Sequence, residues 1–326
     1  FGFLEIDPQT YQLHMVNGDA VKCPSLFTEL GAQGLVSKVL NLPNTYPARS
    51  FPGMLVAGFV APELKGAVYP KVLAGPLQDA GYILEADTVR GKEDPDFLLG
   101  ALQQTLAGRE RALDLFWPDL AWDLFVFVLT ETDRLGHFLF AALENPDDPR
   151  HEACLQFMRE WDRCLGRFLE RFEALPEPKR LLCLADHGFT TLITEVDLNA
   201  WLRQQGYLQE QGTAANELDA SIIAPGTTAF ALDPGRIYLH CRERFARGQA
   251  PRQALLAQRE QLRQELAALQ HQGQPVMRAV HLGEELYPNS PFSWTPDLVC
   301  EARPGYDLKA KFDRHTVFGR FGRSGT

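Results

Sequence analysis

The chain has 326 residues, of which 45% are hydrophobic and 23% charged, the balance of a folded globular protein with material for one large or two ordinary domains. Its formal net charge of −10 argues against a nucleic-acid backbone as main partner, and its longest uncharged apolar stretch, 51–62, is far short of a bilayer span. The six cysteines show no C-x-x-C pair, and Cys154, Cys164 and Cys183 fall on apolar faces, so free buried thiols and a reducing, cytoplasmic setting are expected.

No signal peptide opens the chain, although Phe1 is not an initiating residue and a leader further upstream stays open. Residues 1–30 read as loop-rich, with turns at Asp7-Pro8 and Asn17-Gly18 and a short helix over 25–30 closed by Gly31. Residues 35–41 read as a strand that runs into 42–47, where two prolines exclude regular structure; 54–59 is a further apolar segment. Over 95–117, Phe97, Leu98, Ala101, Leu102, Leu106, Leu113 and Phe116 recur at helical intervals, and Pro118 ends the run.

The stretch 122–137 carries the strongest signal. After Asp123 the residues through Leu129 are apolar without a break, the pattern of a parallel-sheet strand covered on both faces. Asp133 and His137 follow, four residues apart, hence on one face of a helix that starts there. At that spacing a carboxylate oxygen and an imidazole nitrogen can hold one divalent cation. The next helix spans 150–174, with Cys154, Phe157, Met158, Trp161, Leu165, Phe168 and Leu169 on one face and charges on the other; Pro176 and Pro178 stop it.

A second apolar run, 180–185, ends in Asp186-His187-Gly188-Phe189 and repeats the grammar: an acid and a histidine at a strand's carboxyl end, with Gly188 easing the turn. With the helix between them the two runs make a βαβ unit, and its right-handed crossover places both acid–histidine pairs on one edge of the sheet. Singly, such a pair more often caps a helix or faces solvent; two at successive strand ends point to a two-metal site. Past Phe189, Asp197 caps a helix carrying Leu198, Trp201 and Leu202, closed by Gly206. Residues 251–270 form a polar helix with a thin leucine stripe, 275–280 and 297–301 are short strands, and 309–326 reads as a basic, glycine-rich, solvated tail. The remaining histidines His14, His151, His240, His271 and His281 are expected at the surface.

With these residues in place, T-E-T-D-R-L-G-H at 130–137 and A-D-H-G-F at 185–189 resemble two metal motifs of the alkaline phosphatase superfamily, in its type I phosphodiesterase/nucleotide pyrophosphatase-like branch. N-L-P-N-T-Y-P at 41–47, M-L-V-A-G-F-V-A-P at 54–62, V-D-L-N-A-W-L-R-Q-Q-G-Y-L at 196–208, E-E-L-Y-P at 284–288 and P-D-L-V at 296–299 are similar in order and spacing. The resemblance implies an α/β fold, three-layer α/β/α with a mostly parallel central sheet and an accessory insert. It places the core in 1–195, an accessory cap in 196–285 and a return to the core in 286–326.

It also implies two divalent ions, with Asp133 and His137 on the first and Asp186 and His187 on the second; mixed carboxylate and imidazole donors favour zinc or manganese. The implied activity is hydrolysis of a small phosphorylated substrate through a Thr or Ser phospho-enzyme. That nucleophile and an early aspartate belong upstream of Phe1, and a last histidine after Gly325-Thr326, so the chain reads as an inactive fragment. Ser50 with Asp7 in place of the early groups, and His315 as the last ligand, are the disfavoured alternatives, since Asp7-Pro8 is a turn and His315 lies in loop sequence. A phosphomutase of the same superfamily and a non-catalytic α/β metal- or ligand-binding module are the rival readings. The oligomeric state is open.

Overall fold

The computed structural model describes residues 2–291 and 294–326. Two compact units share the chain, one of residues 17–191 with 322–325, the other of residues 2–16 with 192–321 and Thr326. The chain starts in the latter, on an antiparallel hairpin of β1 (Leu4–Ile6) and β2 (Leu13–Met15).

The unit of 17–191 contains α1 (Leu26–Ala32), β3 (Ser37–Leu42), β4 (Gly53–Ala57), α2 (Leu64–Ala67), β5 (Val68–Tyr69), α3 (Ala74–Asp79), α4 (Thr88–Glu93), α5 (Pro95–Phe116), β6 (Leu124–Phe127), α6 (Glu131–Glu144) and α7 (His151–Glu173). Its sheet runs β5-β4-β3-β6, with β3 parallel to both β4 and β6 and β5 antiparallel to β4. Alternation sends Val39, Leu55, Leu124 and Val126 to one face, against Phe27 of α1. Leu40, Met54, Val56 and Phe125 go to the other, with Leu77, Ala112 and Phe116. Both faces are covered, which is why these strands read as unbroken apolar runs.

Local signals set the long helices. Asp94 caps α5 by accepting from the Phe97 N–H, Pro95 takes the first turn, and Pro118 follows its end. Leu98, Leu102 and Leu106 of α5 pack with Leu135 and Leu139 of α6 and Cys154, Phe157 and Cys164 of α7. Each such leucine contributes about 1.5–3 kcal/mol of burial.

The strand expected over 180–185 is not formed. The segment is irregular, and Leu182 and Leu184 are each 79% exposed. Cys183, expected inside, is exposed as well. Among the described residues β6 pairs with β3 alone, so no βαβ crossover links β6 to this segment. A run of apolar residues reports a preference for burial, whereas a strand exists only when its N–H and C=O groups meet a neighbouring ladder.

The other unit contains β7 (Thr194–Asp197), α8 (Leu198–Gln204), β8 (Ala229–Leu232), β9 (Arg236–Leu239), α9 (Arg252–Ala267), the hairpin β10 (Gln270–His271) and β11 (Gln274–Pro275), β12 (Met277–Leu282), α10 (Gly283–Leu286), β13 (Leu298–Ala302), β14 (Tyr306–Lys309) and β15 (Phe318–Gly319). An antiparallel sheet runs β12-β13-β9-β8, and β14 and β15 flank β7, with β14 parallel to it. Asp197 caps α8 through the Ala200 N–H and Gly206 takes φ +81°, as the sequence predicts. The leucine stripe of α9 is buried at Leu255, Leu262 and Leu266.

Two expectations fail in this unit. Residues 309–326 are not a solvated tail, because β15 pairs with β7 and Arg314 is bonded to Glu195 at 2.8 Å. His240 is 1% exposed, because the neighbouring apolar and aromatic side chains of the core enclose it. Among the described residues no helix is long and apolar enough to cross a membrane.

Candidate metal centre

The carboxyl end of β6 delivers the chain to the site, and its neighbour β3 braces it. Asn41, at φ 63°, donates from Nδ2 to the Val128 carbonyl at 3.0 Å and to Thr130 Oγ1 at 3.3 Å. The Tyr82 hydroxyl donates to Asn41 Oδ1; burial pushes that phenol up to about 12, so it stays a neutral donor. The first residue of α6, Glu131, is buried with Arg109 of α5, Nε to Oε1 at 3.2 Å. The pair is close enough for charge attraction but not aligned as a hydrogen bond. Arg109 also donates to the carbonyls of Ile83 and Leu84, at 2.6 and 2.7 Å. Burial raises the Glu131 carboxyl and Arg109 pulls it back, so the start of α6 is tied to α5 by a charge pair held away from water.

One helical turn then presents Asp133 and His137 on a common face, as their spacing predicts. Asp133 Oδ1 lies 3.4 Å from His137 Nε2 and 3.3 Å from His187 Nε2. Its other oxygen, Oδ2, accepts from Arg134 Nη1 at 2.8 Å. Burial alone would raise the Asp133 carboxyl, but the hydrogen bond and charge of His137, with the charges of Arg134 and His187, hold it below the ordinary value. His187 Nδ1–H donates to the Gly188 carbonyl at 2.9 Å, which fixes the ring with Nε2 facing Asp133.

Phe189 sets its ring edge-on to both imidazoles, 5.0 Å from each. Gly136 makes room for it: a Cβ there would stand 2.6 Å from the Phe189 ring. The 322–325 segment lies along the same helix, where Ser324 N–H donates to the His137 carbonyl at 2.9 Å and Arg323 Nη1 approaches His137 Nδ1 at 3.5 Å.

One donor atom from each of Asp133, His137 and His187 falls within 4.8 Å of the others. A carboxylate and two imidazoles that leave a position open are the donor set of catalytic zinc, and they suit manganese or iron better than calcium or magnesium. The residues fit one divalent ion. Asp186 stands outside the group, its side chain 89% exposed and 3.8 Å from His187 Nε2. Of the four expected ligands, then, three are brought together, and His187, allotted to a second ion, stands with the first pair. No strand end carries Asp186 to the sheet's rim.

The alternatives find no support in their surroundings. Ser50 is exposed, Asp7 accepts from the Gln9 and Thr10 N–H groups in a turn, and His315 is exposed beside Glu210 and Asp313. Four side chains at the centre escaped the sequence reading. Arg134 and Phe189 lie inside the two motifs, Arg323 lies in the supposed tail, and Glu85, which grips Arg134, has no local signal at all.

The profile of the type I phosphodiesterase / nucleotide pyrophosphatase family matches residues 4–322. No curated protein sequence matches the chain significantly. Among solved structures, the phosphonoacetate hydrolase from Sinorhizobium meliloti 1021 in complex with phosphonoformate aligns with a TM-score of 0.55 at 13% identity, over 99% of this chain and 70% of that one. At such identity the likeness speaks for the fold alone, and it agrees with an alkaline-phosphatase-like α/β architecture built on parallel strand pairs.

Proposed function

The chain belongs to the type I phosphodiesterase/nucleotide pyrophosphatase family, and from that premise we propose that it serves metal-dependent hydrolysis of a small phosphorylated or phosphonylated anion. The observation that carries this reading is the convergence of Asp133 Oδ1 with the Nε2 atoms of His137 and His187. A divalent ion at such a centre supplies Lewis acidity and offsets the repulsion between a substrate phosphate and a chain of net charge −10.

The chain's own residues do the positioning. The bond from His187 Nδ1–H to Gly188 fixes the ring with Nε2 turned to Asp133, and Phe189 packs against both imidazole rings. The guanidinium of Arg134 lies on Asp133, and that of Arg323 lies beside His137. The finer parts of the proposal are zinc or manganese as the ion, Asp186 as a ligand of a second ion, and a Thr or Ser phospho-enzyme. The division into a core over 1–195, an accessory region over 196–285 and a return over 286–326 belongs to the same proposal.

The test is calorimetric titration of the metal-free protein with Zn²⁺ and Mn²⁺. Asp133→Ala and His187→Ala are each expected to weaken binding by more than about 100-fold, since even outer partners of ligands are worth about 10–100-fold. Unchanged affinity in both variants sinks the reading.

A further inference from the structure

We propose that Arg134 is a positioning residue that makes Asp133 a one-oxygen ligand and so biases the centre towards zinc over ions that accept both oxygens of a carboxylate. This rests on the metal-centre reading above and adds to it a device for metal selection. Arg134 is held on three sides. Its Nε and Nη2 donate to Glu85 Oε1 and Oε2 at 3.2 and 3.1 Å, a two-point grip, while Nη1 donates to Asp133 Oδ2 at 2.8 Å. Its guanidinium carbon sits 4.4 Å from the centre of the Phe59 ring. The side chain is only 13% exposed.

A planar fork fixed along one edge by a carboxylate and on one face by an aromatic ring cannot follow the Asp133 carboxylate if that group turns. Oδ2 is thereby retained on the arginine, and Oδ1 is the oxygen turned to both imidazoles. Glu85 has a second effect. Its charge offsets that of Arg134, so the Glu85–Arg134–Asp133 triad stays net negative beside a cation site.

The chemical consequence follows from coordination habits. Four-coordinate zinc is satisfied by single oxygens and nitrogens, whereas larger, oxygen-seeking ions of higher coordination number draw on carboxylates through both oxygens. Holding Oδ2 on Arg134 withholds the second oxygen from such ions.

The experiment compares Zn²⁺, Mn²⁺ and Ca²⁺ affinities of the metal-free protein with those of Arg134→Met and Glu85→Gln. Arg134→Met keeps the stem over Phe59 and removes the donors. Zn²⁺ affinity is expected to fall by about 10–100-fold, as for other outer partners of ligands, with less loss for Mn²⁺ and a gain for Ca²⁺. The infrared carboxylate splitting of the loaded variant should shift towards two-oxygen binding. Arg134→Lys is not expected to rescue, because one ammonium cannot serve both carboxylates in this geometry. Glu85→Gln, which leaves Arg134 in place, gives a smaller change in the same direction.

Affinities that all rise together overturn the inference, since Arg134 is then only a competing cation. A lower melting temperature with unchanged metal ratios overturns it too, as the mark of a merely structural residue. Should the unaltered protein itself fail to bind Zn²⁺, the metal-centre reading falls first, so the two failures are distinguishable.

Discussion

In the unit of 192–321, His240 is buried with both ring nitrogens engaged: the Tyr11 hydroxyl meets Nε2 at 2.5 Å and Nδ1–H donates to the Thr227 carbonyl at 3.0 Å. In the unit of 17–191, His137 and His187 turn their Nε2 atoms onto a single half-exposed carboxylate. The same contrast holds for the acids. Asp297, 1% exposed, is closed off by Arg244 at 3.0 Å, Arg252 at 2.5 Å and the Leu239 N–H at 2.9 Å. Asp133 keeps one oxygen on an arginine and turns the other to two imidazoles. Polar groups that exhaust one another's capacity are fold; donors that converge with capacity to spare, next to solvent, mark chemistry.

Within the unit of 17–191 the Arg109–Glu131 pair is the closed kind, and breaking it should have the largest effect. Arg109→Met strands the Glu131 carboxyl away from water and is expected to reduce unfolding free energy by about 3–5 kcal/mol in denaturant titration. No loss would mean that α6 is not anchored there, and the contrast would have to be redrawn. Gly136→Ala comes next. Its new methyl meets the Phe189 ring, so stability should fall by about 1–3 kcal/mol and Zn²⁺ binding should weaken with it, because the ring packs on His187. Adding Phe189→Ala removes the clash and should restore part of the stability; a double variant no better than the single would place the damage elsewhere.

The smallest effect tests the unit of 192–321. Burial holds the His240 pKa below its usual 6.5, with the nearby Arg247 charge acting the same way against the Thr227 hydrogen bond. The unfolded chain therefore takes up a proton as pH drops below 6.5 while the folded one does not, so this contribution is intact above 6.5 and drains away on acidification. The slope approaches ~1.4 kcal/mol per pH unit at most, down to the lowered folded pKa. His240→Gln should flatten the acid side of the stability profile, and an unchanged profile would show that His240 is not neutral in the fold.

Much of this was legible beforehand where short-range physics decides. The apolar periodicity and Pro118 bound α5; the apolar stripe and Pro176 bound α7; Asp197 and Gly206 bound α8. The spacing of Asp133 and His137 specifies their common face because a helix has no freedom to do otherwise. The reading failed where the outcome depends on what lies across the fold. The 180–185 run has the residues of a strand without the ladder, and His240 has an ordinary surface residue's neighbours in sequence but a core's in space.

What the sequence determined by itself was family, helix boundaries and the first acid–histidine pair, since each is written in contacts between residues a few positions apart. Tertiary structure alone decided that His187 joins that pair while Asp186 does not, and that Glu85 reaches Arg134 from 49 positions away. Pairings of that length depend on how sheet and helices pack, and no local pattern encodes them.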